Sequence, residues 1–444
     1  MIQFFKQLYL QKRFYISMGI IVFLFILSFI FPALYSFVWG ILIFFLAFVL
    51  VDTTILFTGK TKLTANRILP EKLSNSDKNN IFVTIDNQYT FTACCHIIDE
   101  IPFQFQKRDF GIFKVLKPKE KINFVYDLTP LERGEYSFGK LNIFVSSPLQ
   151  LISKRYIFCD NATLPCYPSF IQMKKYDLIA FSKNKFSFGL KKIRRLGNTT
   201  EFEQIKEYTL GDDIRTINWK ATAKRKDLMV NQYLDENTQS VYCIIDKGRV
   251  MQMPFAGLSL LDYAINSSLA LSNVILKKYD RSGLLTFSKN VDSILPCENK
   301  KTQLHKIMEQ LYRIKTDFSE SDYSKLYAQI KHKVTHRSLL ILYTNFESLN
   351  GLNRQLPYLR ALAKLHLLVV VFFENTELTK MAEKKAQNTD DIFDKVIAEK
   401  FSFEKRLIVN ELTKYGIQSV LTTPKDLSIN TINKYLQIKA KGNF

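Results

Sequence analysis

The chain changes structural class between Gly197 and Met251, where it reads G-N-T-T-E-F-E-Q-I-K-E-Y-T-L-G-D-D-I-R-T-I-N-W-K-A-T-A-K-R-K-D-L-M-V-N-Q-Y-L-D-E-N-T-Q-S-V-Y-C-I-I-D-K-G-R-V-M. This stretch begins as a polar, turn-rich segment and ends in the apolar run 241–245, which is followed by Asp246. The sequence before it has the pattern of a membrane anchor and short strands. The sequence after it alternates strand-like and helix-like runs, so we expect a different fold on each side.

Four short apolar runs after this stretch are typical of strands buried on both faces of a parallel sheet. They are 241–245, 284–287, 339–343 and 367–372. Helical patterns lie between them, including the apolar segment 258–276 and the spacing of apolar residues in 304–314. This alternation predicts right-handed crossovers and a doubly wound α/β domain over 241–444. Ligands of such sheets bind at the carboxyl ends of strands, here near Asp246, Ser288, Asn345 and Glu374.

The N-terminal segment 1–60 is predicted to be a transmembrane helical hairpin. Residues 14–31 and 33–51 are uncharged and separated by Pro32, and helices over about 14–31 and 33–57 would each be long enough to cross a bilayer. Lysine and arginine flank both ends of the pair, which places both termini and the soluble domains in the cytoplasm at the bacterial inner membrane. Two buried helices of a soluble protein, or a cleaved signal peptide, are the alternatives.

Between the hairpin and the α/β domain we expect two further segments. Residues 61–165 contain several short strand-like runs separated by polar turns, which indicates a β-sandwich-like domain. Residues 166–240 form a basic linker and motif region. A length of 444 residues agrees with two or three folded units.

The formal charge of +21 predicts a preference for anionic neighbours. Its first dense cluster in the linker is interleaved with aromatic residues and supplies the candidate anion contacts Lys174, Lys175, Lys191, Lys192, Arg194 and Arg195. A solvated face, contact with anionic lipid or an acidic partner, and nucleic-acid binding all fit this composition. Nucleic acid is the least favoured of the three.

Sequence motifs for common chemistry are missing. The six cysteines form no C-x-x-C pair, and His332 and His336 lack the glutamate of a metalloprotease helix, so we expect reduced thiols and no zinc site. The phosphate-binding loop, the G-x-S-x-G elbow and the dinucleotide fingerprint do not occur. We therefore expect a protein that is not an enzyme and has no cofactor.

The run E-F-E-Q-I-K-E-Y-T-L-G-D-D-I-R-T-I-N-W-K-A-T-A-K, with the later I-I-D-K-G-R-V-M, resembles the bacterial family catalogued as domain of unknown function fifty-eight. The family's R-G-x-Y-x-F-G and S-P-L patterns correspond here to residues 133–139 and 147–149. The resemblance implies a membrane hairpin, a β-rich segment and a domain similar to von Willebrand factor type A. It also implies an association with MoxR-type AAA+ ATPases, which are implicated in assembling or maturing other proteins.

Metal-binding von Willebrand A domains carry D-x-S-x-S after the first strand and a later threonine and aspartate around magnesium. This sequence has Asp246, but Gly248 and Val250 occupy the serine positions, and Asn345 stands where the later aspartate is expected. Glycine and valine supply no side-chain oxygen, whereas Mg²⁺ needs several oxygen ligands. The resemblance therefore implies a degenerate metal site, and we expect no bound metal.

The polar part of the stretch is predicted to be a structural clasp between the two soluble domains. Its residues are Glu207, Tyr208, Gly211, Asp212, Asp213, Arg215 and Trp219. Asp212 and Arg215 could form a charge-assisted pair, and Trp219 could bury its indole. The alternative is catalysis, since paired aspartates can hold two magnesium ions in polymerases.

Two functions from different classes follow. The favoured one is a membrane-anchored cytoplasmic protein-interaction module, an accessory or adaptor to a MoxR-type AAA+ ATPase. The alternative is a membrane-tethered binder of anionic lipid or nucleic acid through the basic cluster, whose binding would weaken steeply with salt.

Overall fold

The computed structural model describes residues 2–58, 63–107, 109–173, 201–209, 212, 214–225, 227–234, 238–255, 257–316, 318–384 and 388–441. The chain divides into two compact units, Met1–Ser169 and Phe170–Phe444. The first unit contains the predicted hairpin and β-rich segment, and the second contains the predicted α/β domain. The finer boundaries proposed from the sequence, at residues 60, 165 and 240, stay predictions.

The first unit begins with three helices. They are α1 (Ile2–Gln7), α2 (Lys12–Ile30) and α3 (Tyr35–Phe57), and a 3₁₀ turn at Pro32–Leu34 joins the last two. Proline has no N–H to continue the first long helix but fits the start of the turn. By length and composition, α2 and the Pro32–Phe57 segment can each cross a membrane, and most of their side chains are exposed. The predicted two-helix hairpin is thus present.

Eleven described strands complete the first unit. They are β1 (Leu8–Leu10), β2 (Leu63–Ile68), β3 (Leu73–Ser74), β4 (Asn79–Asn87), β5 (Ala93–Asp99), β6 (Gly111–Leu116), β7 (Lys121–Leu128), β8 (Gly134–Phe138), β9 (Leu141–Ser146), β10 (Ile152–Phe158) and β11 (Ala162–Tyr167). They form sheets ordered β1-β10-β9-β5-β6, β3-β11-β8 and β2-β4-β7. In β4 the buried positions alternate with more exposed ones, which is why its sequence alternates in polarity. All three sheets contribute to one hydrophobic core.

Both ends of the helical hairpin are attached to the same strand of this unit. Ahead of α2, β1 pairs antiparallel with β10, and Gln11 N donates to Leu151 O over 3.0 Å. Near the end of α3, the fully buried Asp52 accepts hydrogen bonds from the backbone N–H groups of Leu151 and Ile152, at 3.2 and 3.1 Å. The start and the end of the hairpin are therefore fixed beside each other.

The second unit combines a β-ribbon with a larger sheet and its helices. The strands are β12 (Glu201–Glu207), β13 (Met229–Leu234), β14 (Ser240–Asp246), β15 (Pro254–Phe255), β16 (Leu258–Ser259), β17 (Arg281–Phe287), β18 (Val291–Glu298), β19 (Leu339–Tyr343), β20 (Leu367–Phe373) and β21 (Gln418–Thr422). The helices are α4 (Trp219–Arg225), α5 (Leu260–Lys277), α6 (Gln303–Arg313), α7 (Tyr323–Lys333), α8 (Leu349–Leu365), α9 (Thr376–Glu383), α10 (Thr389–Lys414) and α11 (Leu427–Lys441).

Six strands form one sheet in the order β18-β17-β14-β19-β20-β21. All neighbouring pairs are parallel except β17 and β18, where the edge strand runs antiparallel. When the strands are numbered along the chain, this order is 3-2-1-4-5-6, which is the order of a doubly wound sheet. The first three strands are added toward one edge of the sheet, and the fourth to sixth strands are added toward the other edge, starting beside the first. The predicted doubly wound arrangement is confirmed, and its switch point lies between β14 and β19.

Candidate functional site at the carboxyl edge of the parallel sheet

The residues singled out after the parallel strands do meet at one edge of the sheet. Asp246 is the last residue of β14, and Asn345 comes two residues after β19. These strands are neighbours in register, with Ile245 opposite Tyr343. Because parallel strands end together, both side chains lie at the carboxyl ends of neighbouring strands, and the strand order adds that this place is the switch point.

Asp246 is fully buried, and both of its carboxylate oxygens accept hydrogen bonds. Oδ1 accepts from the Ser321 hydroxyl and from the Gly248 backbone N–H, the latter at 2.9 Å. Oδ2 accepts from Thr344 Oγ1 at 2.7 Å and from Tyr323 Oη at 3.4 Å. The Tyr323 and Thr344 hydroxyls lie 2.8 Å apart, so one of them can donate its single proton to the other instead of to Asp246. Asp246 therefore joins the loop after β14 to the start of α7 and the end of β19.

Burial raises the pKa of Asp246, because the charged form loses its water, although the four hydrogen bonds oppose this. Burial, followed by the charge of Asp246, raises the pKa of Tyr323. Among the described residues no cation pairs with Asp246. The hydroxyl and amide donors alone therefore offset the cost of burying its charge. This is the arrangement of a structural anchor.

Gly248 is required by the packing of Ser321. A Cβ at Gly248 would overlap the Ser321 hydroxyl and lie 3.1 Å from Asp246 Oδ1. The hydroxyl that bonds Asp246 therefore occupies the space into which a serine at position 248 would project. Glycine there makes room for a hydroxyl from elsewhere in the chain, a role that the sequence alone did not reveal.

The described residues do not fit a magnesium ion. Val250 supplies no oxygen, Asp246 is already saturated with donors, and Asn345 Oδ1 accepts from the Lys405 ammonium over 2.8 Å. Mg²⁺ requires several free oxygen ligands in near-octahedral geometry. No group of three or more histidine, cysteine or acidic side chains in the described part of the chain could hold a metal.

Two cavities open beside this anchor. The smaller, of about 150 Å³, is lined by Asp246, Val250 and charged residues that include Arg249 and Arg354. The larger, of about 310 Å³, lies among β20, α9 and α10 and has a mainly apolar wall. Asn345 and Glu347 line both, so the edge of the sheet carries a polar and an apolar compartment side by side.

The predicted clasp is a β-ribbon with its own internal bonds. Strands β12 and β13 pair antiparallel, and Tyr208 N donates to Leu228 O over 2.7 Å. Asp212 accepts from Lys206 Nζ at 2.8 Å and from the Thr209 backbone and hydroxyl at 2.9 and 2.8 Å. The bond from Lys206, followed by those from Thr209, lowers the pKa of Asp212 to about 2.

One detail of the clasp hypothesis needs revision. The expected burial of the Trp219 indole is wrong, since this residue is 71% exposed. Trp219 begins the short helix α4 and lies on the solvent side of that helix. Asn218 fixes that helix instead: its Oδ1 accepts from Ala221 N at 3.0 Å and its Nδ2 donates to Asn231 at 2.8 Å. Glu207 and Arg215 lie in the ribbon and the 3₁₀ turn, and the proposed contact between the two domains stays a prediction.

Several predicted site residues lie outside the described residues. They are Gly211, Asp213 and the basic residues Lys174, Lys175, Lys191, Lys192, Arg194 and Arg195. The anion-contact hypothesis therefore stays a prediction.

Sequence reasoning missed the residues that complete the edge. Ser321, Tyr323 and Thr344 supply the hydroxyls around Asp246, and Lys405 holds Asn345. Thr344 directly precedes the noted Asn345 and could have been suspected. Ser321 and Lys405 belong to other segments, and no local pattern indicates them.

Comparison with known proteins identifies a domain of this chain. Residues 204–383 match the family described as "Protein of unknown function DUF58". The match begins within β12 and includes β13, Asp246 and Asn345. A curated relative, "Uncharacterized protein YeaD" of Bacillus subtilis (strain 168), is 24% identical over 216 residues, covering 47% of this chain and 54% of the relative. The chain thus spans about half the length of that relative.

Two solved structures show a distant likeness. The crystal structure of the conserved hypothetical protein BatB from Bacteroides thetaiotaomicron matches 40% of this chain and 98% of its own, with 13% identity and a TM-score of 0.26. The ASH / PapD-like domain 7 of human CEP192 matches 24% of this chain and 87% of its own, with 10% identity and a TM-score of 0.20. Both scores are too low to support an argument about the fold.

Proposed function

We propose that this chain is a membrane-anchored cytoplasmic protein-interaction module that acts without catalysing a reaction. The observation that carries the proposal is the attachment of both ends of the apolar hairpin to strand β10. The residues before α2 and those near the end of α3 are attached to the same strand, so they lie on the same side of the bilayer. The hairpin between them therefore crosses the bilayer an even number of times. Both flanks then lie on one side, and the basic residues near them favour the cytoplasm.

The interaction role is supported by the chemistry of the sheet edge. Asp246 is the acidic group best placed for catalysis in a doubly wound fold, yet four donors hold it away from solvent. A carboxylate whose two oxygens already accept from these donors has little capacity left to bind a metal ion. The edge can still present a shaped surface to another protein, which agrees with the domain similar to von Willebrand factor type A that the family resemblance implies.

The proposed partner is a MoxR-type AAA+ ATPase, with this chain as its accessory or adaptor in protein assembly or maturation. This choice rests on the family resemblance. The test is affinity purification of the full chain from detergent extract of its native host, followed by mass spectrometry. The proposal is supported if an AAA+ ATPase is recovered with the native chain. The ATPase should no longer be recovered in high salt, or from a chain with substitutions at the carboxyl edge of the parallel sheet. Recovery of nucleic acid or anionic lipid without an ATPase would instead favour the basic-cluster alternative.

The anchor is tested separately by adding protease to inverted and right-side-out membrane vesicles. We expect the soluble units to be cleaved only when their cytoplasmic face is exposed. Cleavage in right-side-out vesicles would overturn the orientation while leaving the two-helix anchor intact.

A further inference from the structure

The larger cavity at the sheet edge contains a lysine, Lys405, that forms no ion pair with any residue in the described part of the chain. Lys405 lies in the middle of α10 and is mostly buried. Its ammonium group donates to Asn345 Oδ1 over 2.8 Å and to the backbone oxygen of Phe346, and it lies 5.8 Å from the centre of the Phe372 ring. Among the described residues no carboxylate forms an ion pair with it. Burying an unpaired ammonium is costly, and contact with an anion would reduce that cost.

The wall of the same cavity is apolar. Six of its lining side chains are hydrophobic: Met253, Phe255, Leu260, Phe373, Leu378 and Phe401. The volume of about 310 Å³ lies at the lower end of the range for small-molecule sites, which hold an apolar body and a few orienting polar groups. An apolar wall with one cationic group matches a ligand with an apolar body and one anionic end.

The remaining charges limit the ligand further. Glu347 and Glu374 also line the cavity. Glu347 is exposed and acts on Lys405 only through its field, which partly offsets the effect of burial. With one ammonium and two carboxylates the charged lining residues are net negative, so an anionic end is favoured only in direct contact with Lys405, and a second negative charge would be repelled. A single carboxylate on an apolar body therefore fits best.

We propose that this cavity binds a small apolar monocarboxylate, with its carboxylate on Lys405 and its apolar body among the aromatic side chains. Two sources share this chemistry: a free organic acid, and the C-terminal residue of a partner protein with an apolar side chain. A lysine ammonium has three donors, of which Asn345 and Phe346 take two, so the third is left for the carboxylate. The inference is independent of the proposed partner and of the membrane orientation.

The test uses 3-phenylpropanoate and its uncharged analogue 3-phenylpropanamide with the full chain in detergent, followed by calorimetry. We expect the acid to bind about tenfold more tightly than the amide, because a charge-assisted hydrogen bond is lost with the amide. Lys405→Met keeps the apolar stem and should bring the two affinities to within about twofold. Lys400→Met, on the same helix but outside the cavity lining, should leave the tenfold preference unchanged.

The two sources are separated with a short peptide ending in phenylalanine, as the free acid and as the C-terminal amide. Tighter binding of the free-acid peptide than of phenylpropanoate assigns the site to a protein terminus, and the reverse assigns it to a free acid. Equal binding of acid and amide by the native chain would overturn the proposal. A preference that survives in Lys405→Met, or binding of none of the four probes at about millimolar concentration, would also overturn it.

Discussion

Replacing Asp246 with alanine and with asparagine distinguishes an anchor from a reactive carboxylate. Alanine removes the acceptor of four donors: Gly248 N–H and the hydroxyls of Ser321, Tyr323 and Thr344. Tyr323 and Thr344 can still bond each other, so about three buried donors lose their partner. Asparagine keeps an oxygen for Gly248, and the hydroxyls can rotate to accept from its amide.

The expected magnitudes follow from these contacts. A buried donor without a partner costs about 1 kcal/mol or more, so Asp246→Ala should lose about 3 kcal/mol of the free energy of unfolding. Asp246→Asn removes a buried charge at equal volume and should change that free energy by less than about 1 kcal/mol. For a unit of this size, the alanine variant should melt roughly 6–12 °C lower.

The assay is thermal unfolding of the full chain in detergent. Hydrogen exchange of the backbone amides in β14 and β19 shows whether the loss of stability is located at this site. Equal melting temperatures of the alanine and asparagine variants would refute the anchor. Calorimetry provides the second check: we expect no stoichiometric magnesium binding by the native chain. Binding that Asp246→Ala abolishes would show that the site holds a metal after all.

Further predictions concern the buried or mostly buried residues Asp52, Arg67 and Lys405 and the exposed Trp219. Asp52→Ala should lower the melting temperature of the first unit, because the amides of Leu151 and Ile152 lose their acceptor at a cost of about 2 kcal/mol, whereas Asp52→Asn should cost less. Arg67→Ala should cost about 3–5 kcal/mol in denaturant unfolding, since it leaves the buried Asp99 without its ion pair, although Tyr126 still donates to it. Trp219→Ala should change the melting temperature little, because its indole is exposed; a large loss would restore the idea of a buried clasp. Burial lowers the pKa of Lys405 to about 8, so between about pH 8 and the ordinary lysine pKa of about 10.4 the unfolded chain binds more protons. Stability should therefore rise with pH across that interval, and Lys405→Met should flatten the rise.

Much of the architecture could be predicted because it depends on local periodicity. Short strand-like runs within 61–165 became strands such as β4, β6 and β7, and the four apolar runs after Gly197 became parallel strands. The long uncharged segments became helices α2 and α3. Burial imposes a repeating pattern on each element, and the sequence preserves that pattern. Asp246 and Asn345 could also be placed, because strands of a parallel sheet end at a shared edge.

The contacts that define the site depend on tertiary structure. Ser321 and Thr344 reach Asp246 across 75 and 98 residues of chain, and Lys405 reaches Asn345 across 60. The periodicity of apolar residues indicates that one face of an element is buried, but it does not indicate which other element covers that face. The hydroxyl groups around Asp246 and the position of Lys405 in the cavity could therefore not be predicted from the sequence. The pairing of β1 with β10 is of the same kind, since it joins residues 8–10 to 152–154. The sequence by itself determined the elements and their order, and packing alone decided which side chains meet.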